Sequence, residues 1–319
     1  MLSDAMTIPS RPTGTEDFVP GDDARWTMTV GGALLVQATG DPDSPVLDRF
    51  FAGYDRAFVL PDEREELDGF RACLALNESC RHRFGRTHME LVMTVRDGEG
   101  GALLGGANFL ATAMPAIPGH PPVAVALNYV FVEQAARGRG LSRCLLEAVG
   151  RLANRALGFA DEGQWPALFI EQNDPLLLSE QAYAADTARS GVDQVDRLRI
   201  WEKLGARLVD FPYVQPPLSA GQNADTSLAY AVVAFPGDGI AAGFLHDHLE
   251  SFFGISVLKG GDPADCPAAA RQLGLLDAMA KAGEPVSLLP MRDALDRLQR
   301  DSRWPRGLPL RDYARVFPS

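Results

Sequence analysis

The residues best suited to chemistry lie in one short basic, glycine-rich segment, "RGRGLS", at residues 137–142. A strand-forming apolar run precedes it and an apolar helical pattern follows, which predicts a turn from a strand into a helix. Glycine lets backbone N–H groups approach an anion, while a helix N-terminus and two arginines add positive charge. The pattern predicts a site for a phosphate-bearing ligand such as a pyrophosphate. The residues of this turn are Arg137, Gly138, Arg139, Gly140, Leu141 and Ser142.

Two common phosphate-binding motifs do not fit this turn. A P-loop requires Gly-x4-Gly-Lys-Ser/Thr, which the sequence lacks. A dinucleotide fingerprint requires a third glycine where Arg143 stands, and it follows the first strand of a βαβ repeat rather than a later strand. A tight turn with solvent-facing arginines and no ligand remains the alternative that this segment alone leaves open.

Helices and strands that would position the turn are predicted from the spacing of apolar residues. A helix is expected after Ser44 as N-cap, a second over residues 62–77, and a hairpin around residues 97–101. Nearly continuous apolar runs over residues 122–132 and 166–174 are typical of strands buried on both faces. The turn therefore follows a buried strand, with another buried strand after its helix.

The sequence divides into three predicted parts. Residues 1–24, rich in Pro, Gly, Thr and Asp, are expected to form a flexible arm. Residues 25–236 carry the mixed α/β pattern, and residues 237–319 form a helical C-terminal extension. The extension has no motif, and its apolar stripe of Leu249, Phe252 and Phe253 must be buried. Its helices are expected to cover a sheet edge, complete an acceptor pocket or form a contact in a homodimer.

Composition limits the class of partner. The chain has 319 residues, of which 46% are hydrophobic, and a formal net charge of −12. That charge argues against general nucleic-acid binding, which requires a basic surface, and is compatible with a cationic substrate. The N-terminus does not resemble a signal peptide and no apolar run reaches the length of a membrane span. We therefore expect a soluble, cytoplasmic protein that binds neither nucleic acid nor membranes.

No metal site is predicted. The four cysteines lack the paired spacing of metal ligands, and a reduced chain accounts for all of them. His246 and His248 lie in "FLHDHLE", but a His-x-His spacing on a helix places the two rings on different faces. A solvated helix face is the prediction for this pair.

The turn and its flanks, "VFVEQAARGRGLSRCLLEAV", resemble the acetyl-CoA motif of the GNAT acetyltransferases, Arg/Gln-x-x-Gly-x-Gly/Ala. Arg137, Gly140 and Ser142 fall on its three fixed positions, and Ser142 departs from the usual Gly/Ala. "RLRIWEKLGARLVDFPYV" resembles the later helix–strand unit of the same superfamily, with a bulky aromatic residue before Glu-Lys-x-Gly. The two motifs occur in the family's order and cover about residues 89–235.

The resemblance implies a GNAT-like α/β fold for residues 25–236, a mixed, mostly antiparallel central sheet with a splayed strand pair, flanked by helices. In that family the strand before the turn diverges from its neighbour, and its free backbone groups bind the pantetheine arm. By position, this role falls on Phe131, Val132 and Gln134. Acetyl-CoA would be the acyl-donor co-substrate, and no metal is implied.

The family's usual acid and base cannot be transferred directly. Its frequent general-acid tyrosine lies four residues before the glycine of the late helix, where this chain has Trp201. Some members carry a basic carboxylate on the strand before the turn, where this chain offers Asn128 and Tyr129. Asn128 and Trp201 are therefore predicted as substrate contacts rather than as acid or base.

Glu171 and Tyr183 are the predicted catalytic residues. Glu171 lies in "LFIEQND", and a carboxylate in an apolar strand is costly unless it is paired or functional. A structural hydrogen bond is the alternative for it. Tyr183 lies in a segment inserted between two family elements, which is expected to overhang the cleft, and Asn173 is predicted to contact substrate.

The sequence therefore predicts an N-acyltransferase that takes an acyl group, acetyl in the first instance, from CoA to a small-molecule amine. The acidic balance favours a cationic amine, while a peptide or protein amine and a longer acyl chain remain open. The alternative from another class is a non-catalytic acyl-CoA-binding or sensor domain on the same scaffold. Trp201 in place of the tyrosine favours that alternative.

Overall fold

One sheet of ten strands organises the part of the chain that the computed structural model describes: residues 26–30, 34–58, 64–79, 83–159, 165–219, 221–301 and 304–316. The strands are β1 (Trp26–Val30), β2 (Leu34–Thr39), β3 (His88–Asp97), β4 (Leu103–Ala113), β5 (Val123–Val132), β6 (Ala167–Asn173), β7 (Ala206–Val209), β8 (Leu228–Val233), β9 (Gly239–Ala241) and β10 (Pro285–Leu289). Their order is β1-β2-β3-β4-β5-β6-β8-β7-β10-β9, with β5 and β6 parallel and the other neighbours antiparallel. The predicted arm, residues 1–24, lies outside the described residues.

Helices cover both faces of this sheet. They are α1 (Pro45–Ala57), α2 (Leu67–Ser79), α3 (Leu141–Ala156), α4 (Glu180–Ser190), α5 (Gln194–Lys203), α6 (Ala242–Phe252), α7 (Pro267–Ala282), α8 (Arg292–Arg300) and α9 (Leu310–Val316). Buried side chains of α3, α5, α8 and α9 pack on one face. Those of α1 and α2, and of α6 and α7, form two clusters on the other face. Among the described helices, none is long and apolar enough to cross a membrane.

Local signals account for the helices that lie nearest the predicted turn. The Ser44 side chain accepts a hydrogen bond from the Val46 amide at 3.2 Å, and Pro45 occupies the first turn of α1, as predicted. Helix α3 begins at Leu141, directly after the glycine turn as expected, and buries an apolar face against β4 and β5. Residues 26–30 and 34–38 form two paired strands.

Two glycines of β4 lie against the end of β5 where there is no room for a side chain. A Cβ atom built on Gly105 would lie 2.5 Å from the Phe131 carbonyl oxygen, a distance that real Cβ atoms do not adopt. The next residue, Gly106, faces the Phe131 ring in the same way, with a built Cβ 3.0 Å from a ring carbon. These two positions therefore require glycine to keep the end of β5 paired with β4 before the turn.

The C-terminal extension contains strands as well as helices, which the sequence pattern did not predict. Strand β10 pairs with the edge of β7, with Leu288 opposite Val209, and β9 pairs with β10 in turn. A second link is the Asp174 carboxylate, which accepts hydrogen bonds from the Leu176 amide at 2.9 Å and the Leu310 amide at 2.7 Å. The extension is mainly helical, as predicted, and it also continues the sheet.

Candidate active site

The two parallel strands of the sheet separate part-way along their length. Strands β5 and β6 pair from Ala124 opposite Ala167 to Leu127 opposite Ile170. Beyond that pair, β5 continues to Val132 beside β4 and β6 continues beside β8, but they no longer pair with each other. The free edges enclose a cleft of about 570 Å³.

A β-bulge lies at the point of separation. Asn108 on β4 is opposite Tyr129 and Phe109 is opposite Leu127, so Asn128 is an extra residue in β5. A bulge bends its strand and increases the local twist. Since Asn128 directly follows the last residue that pairs with β6, the bulge accounts for the divergence of β5 at this position.

The predicted phosphate turn forms one end of the cleft. Gly138 and Gly140 adopt φ angles of 79° and 74°, in the left-handed region that favours glycine, and Gly140 is the N-cap of α3. Helix α3 begins at once and presents its N-terminus, where amide groups and the helix dipole favour an anion. Seven of the nine residues predicted to bind the acyl donor line the cleft: Phe131, Val132, Arg137, Gly138, Gly140, Leu141 and Ser142.

The other two predicted donor-binding residues do not line this cleft. Gln134 begins a short 3-10 turn after β5 and its side chain is exposed. Arg139 is also exposed and pairs with Asp97 at 3.8 Å, on the β3–β4 hairpin. Of the two arginines in the turn, Arg137 is therefore the one that the structure places at the cleft.

The inserted segment that contains Tyr183, residues 175–196, contacts the glycine turn at one end of the cleft. The Arg137 guanidinium donates to the Ser190 carbonyl at 2.9 Å, at the C-terminal end of α4. Arg189 and Arg197 also line the cleft in this region, and Arg197 pairs with Asp186 at 2.8 Å. The segment therefore overhangs the cleft as expected and makes this end of it basic.

Tyr183 does not reach the cleft. Its hydroxyl donates to the Asp193 carboxylate at 2.6 Å, and its ring packs edge-on against Trp304. These contacts hold α4 against the start of α5 and the C-terminal segment. Among the described residues, the tyrosine that lines the cleft is Tyr129. Burial raises the pKa of Tyr129 well above its ordinary value, so its hydroxyl stays protonated at neutral pH.

Glu171 is the first residue of β6 beyond the last β5–β6 pair, and it lines the cleft as predicted. Its carboxylate accepts hydrogen bonds from the Tyr213 hydroxyl and from the Gln215 side-chain amide at 3.2 Å. The pKa of Glu171 is raised to about 7, chiefly by burial. The hydrogen bond from Tyr213 opposes this rise, and the negative charge of Asp225 adds to it. A carboxylate with this pKa can accept a proton at neutral pH.

Glu90 is a second cleft carboxylate, which the sequence analysis missed. It lies on β3 with 1% of its surface exposed. Its Oε1 accepts from the side-chain amides of Asn108 at 2.6 Å and Asn128 at 2.9 Å, and its Oε2 accepts from the Ser256 hydroxyl at 2.8 Å. Burial raises the pKa of Glu90 to about 7, against these hydrogen bonds, which lower it. The signal was present, since Glu90 lies in an apolar strand as Glu171 does.

The three predicted substrate contacts all line the cleft. The Asn128 side-chain amide donates to Glu90 and to Asn108 Oδ1, the latter at 3.0 Å. Its own Oδ1 is buried and accepts no hydrogen bond from the described residues. Asn173 lies at the end of β6, opposite Leu228. Trp201 on α5 is buried, so this position contributes an apolar wall.

The C-terminal extension completes the cleft. Helix α6 continues as a π-helical turn, Phe253–Val257, which brings Ser256 and Val257 to the cleft beside Phe252. The Ser256 hydroxyl binds Glu90, and its carbonyl accepts from the Cys73 thiol at 3.5 Å. π-Helical turns often occur at functional sites. The extension therefore lines the cleft, and its strand β10 covers the edge of β7.

The histidine pair on α6 divides between two environments. The prediction of a solvated face is wrong for His248, which is buried, stacks on Phe169 at 4.0 Å and lies 2.7 Å from the Tyr230 hydroxyl. His246 lies beside Asp247 and Glu250, a trio whose ligand atoms lie within 4.8 Å of one another. The Arg86 guanidinium already pairs with both carboxylates of that trio, so a cation would have to displace it.

Several solved structures are similar to this chain. The ribosomal-protein-S18-alanine N-acetyltransferase from Escherichia coli has 14% identity and a TM-score of 0.34, with 65% of this chain and 96% of that one covered. A GNAT-family acetyltransferase from Bordetella pertussis has 15% identity and a TM-score of 0.35, with 66% of this chain and 100% of that one covered. Arabidopsis thaliana NAA60 in complex with acetyl-CoA has 12% identity and a TM-score of 0.35, with 63% of this chain and 98% of that one covered. No protein-family model and no curated protein matches the sequence.

The predicted fold class is confirmed in the described residues. The sheet is mixed and mostly antiparallel, helices flank both faces, and the C-terminal part is mainly helical. Of the splayed pair, β5 precedes the glycine-rich turn and α3, as expected, and β6 follows them in the chain.

Replacing Glu90 with Gln is expected to change how stability depends on pH. Folding raises the pKa of Glu90 from 4.5 to about 7, so between these values the folded chain keeps a proton that the unfolded chain loses. This carboxyl therefore lowers stability as pH rises, by about 3 kcal/mol across the window, and Glu90→Gln removes that loss. The free energy of unfolding in urea, measured at steps from pH 4.5 to 7, should increase for the variant relative to the wild type. The stability curve of the exposed control variant Glu284→Gln should run parallel to that of the wild type. A Glu90→Gln curve that also runs parallel to the wild type would contradict the raised pKa of Glu90.

Proposed function

We propose that this chain is an N-acyltransferase that uses acyl-CoA, with acetyl-CoA as its donor, and acylates a small cationic amine. One observation carries the proposal: β5 and β6 stop pairing beyond Leu127 and Ile170, and the cleft between them joins a left-handed glycine turn to a buried carboxylate. The turn suits the pyrophosphate of CoA, and the free strand edge suits its amide-containing pantetheine arm. Glu171 lies where the two strands separate.

The charges along the cleft suit these two substrates. At the turn, the lining cations are Arg137, Arg189 and Arg197, of which Arg197 is paired with the lining acid Asp186. Where the strands separate, the lining acids are Glu65, Glu90, Glu171 and Asp225. An anionic donor and a cationic acceptor would therefore enter opposite ends of one cleft, with the thioester between them.

The chemistry requires one base and one proton donor. Glu171 takes a proton from the ammonium group, and the free amine attacks the thioester carbonyl carbon. A nitrogen–carbon bond forms, the carbon–sulfur bond breaks, and the nitrogen releases a second proton to solvent as the amide forms. Glu171 then returns its own proton to solvent. We assign the proton that the leaving thiolate receives to Tyr129, which is then reprotonated from solvent. Backbone N–H groups on the free edge of β5 would polarise the carbonyl.

A thiol-release assay over a panel of amines tests this function. Wild-type protein with acetyl-CoA should release free CoA only when an amine acceptor is present, and the rate should fall below about pH 7 as Glu171 becomes protonated. Glu171→Gln should lower kcat about 100-fold or more, because an amide cannot accept the proton. Glu284→Gln, on the exposed surface, serves as the matched control. Acetyl-CoA binding without release for any amine would instead support a non-catalytic sensor.

Two variants test the donor site by calorimetric titration with acetyl-CoA. Gly140→Val should weaken binding at least tenfold, since valine disfavours a φ of 74° and the turn would have to change. Gly158→Val makes the same change at φ 81° at the far end of α3, away from the cleft, and should keep its affinity. Arg137→Glu reverses a charge at the turn and should also weaken binding. Wild-type affinity in both Gly140→Val and Arg137→Glu would refute the turn as the pyrophosphate site.

A further inference from the structure

Resting on the proposed function, we propose that the acceptor is a small diamine and that Glu90 binds the ammonium group that does not react. Glu171 then serves the reacting nitrogen, so the two carboxylates have different roles in one cleft. The proposal makes Glu90 a specificity-determining residue and extends the acceptor site onto β3, two strands away from β5.

Neither carboxylate has a cationic partner among the residues that the structure describes. Within the described part of the chain, no Arg or Lys forms an ion pair with Glu90 or Glu171; their hydrogen-bond donors are amide and hydroxyl groups. Burying an ionised carboxylate without an opposite charge is unfavourable. The neighbouring acid Glu65, by contrast, is paired with Lys259 at 2.8 Å. The two unpaired carboxylates are therefore the ones that a substrate with two cationic groups would neutralise.

The same opening gives access to both groups. Asn128, which donates to Glu90, is the first residue of β5 beyond the last β5–β6 pair, and Glu171 is the first residue of β6 beyond it. Both carboxylates line the cleft, at the start of the separated edges. A short extended molecule lying across this position can present one end to each of them.

The cleft also offers hydrogen-bond acceptors that have no donor. Asn128 Oδ1 and Gln172 Oε1 are buried, belong to residues that line the cleft, and accept no hydrogen bond from the described residues. Both are acceptor atoms, and an ammonium group carries three N–H donors and no acceptor. These two acceptor atoms and the negative charge of the carboxylates therefore both favour a ligand with an ammonium group.

Ser256 acts on this site as a positioning residue. Its hydroxyl donates to the Glu90 oxygen that the two asparagines leave free, and it comes from the C-terminal extension. Glu90 is thus held from both sides, by β4 and β5 through the asparagines and by the π-helical turn through Ser256. Acceptor selectivity is therefore expected to depend on the extension as well as on the sheet.

Direct binding tests the proposal without requiring turnover. The full chain is titrated calorimetrically with 1,4-diaminobutane and, separately, with 1-aminobutane. We expect the diamine to bind at least tenfold more tightly, because it alone carries a cation for each carboxylate. Equal affinities, or no binding of the diamine, would overturn the proposal.

Variants assign the preference to Glu90. Glu90→Gln removes the charge at nearly constant size and should bring the ratio of the two affinities close to one, while Glu284→Gln should keep the wild-type ratio. Ser256→Ala should lower the ratio and Ser256→Thr should restore it, which gives a second test if Glu90→Gln does not fold. A ratio that neither Glu90→Gln nor Ser256→Ala changes would give Glu90 a purely structural role and refute the proposal.

Thiol release from acetyl-CoA separates this inference from the proposed function. Release with equal kcat/KM for diamine and monoamine would leave the acyltransferase standing and refute the diamine site. Diamine binding that depends on Glu90, with no thiol release for any amine, would keep the site and refute the acyltransferase. A kcat/KM at least tenfold higher for the diamine, lost in Glu90→Gln, is the result expected if both hold.

Discussion

The separation of β5 from β6 is the constraint on which the rest of the site depends. A buried sheet normally satisfies its backbone N–H and C=O groups by pairing, and unpaired groups are costly unless water or a ligand binds them. Here pairing ends at Leu127 and Ile170, where the bulge at Asn128 bends β5. The close approach of β4 at Gly105 keeps the free end of β5 extended up to the glycine turn. Sheet, bulge and turn together thus produce one open edge that leads to a helix N-terminus.

Charge is distributed along this edge in a way that the net charge of −12 does not reveal. Arginines gather where α3 and α4 meet the turn, and carboxylates gather where the strands separate. The carboxylates Glu90 and Glu171 are tuned by burial and by neutral donors rather than by cations. Their positions on β3 and β6 lie on either side of the β4–β5 pair, so the sheet register sets the distance that an acceptor must span. The π-helical turn of the extension then fixes Glu90 from outside the sheet.

The sequence analysis correctly predicted the features that depend on residues close together in the chain. The glycine turn, the N-cap at Ser44 and the buried strands before and after α3 follow from spacing, conformational preference and apolar runs. The roles of Tyr183 and Gln134 could not be read in this way, because each depends on where a neighbouring segment lies; Tyr183, for example, is bound by Asp193. Strands β9 and β10 are short; β10 pairs with β7 and β9 pairs with β10, which are contacts between residues far apart in the sequence. Glu90 could have been predicted, since a lone carboxylate in an apolar strand carries the same signal as Glu171.

Amide hydrogen exchange of β5, measured with and without acetyl-CoA, tests the central claim most directly. If the donor binds along the open edge, amides within residues 128–132 should exchange more slowly when acetyl-CoA is present. Residues 124–127 already pair with a strand on both sides of β5, so their amides should change little and serve as the internal reference. Slower exchange confined to residues 128–132 and the turn at 137–142 is the predicted result. Acetyl-CoA binding that leaves residues 128–132 unchanged would contradict the account, because the donor would then lie elsewhere.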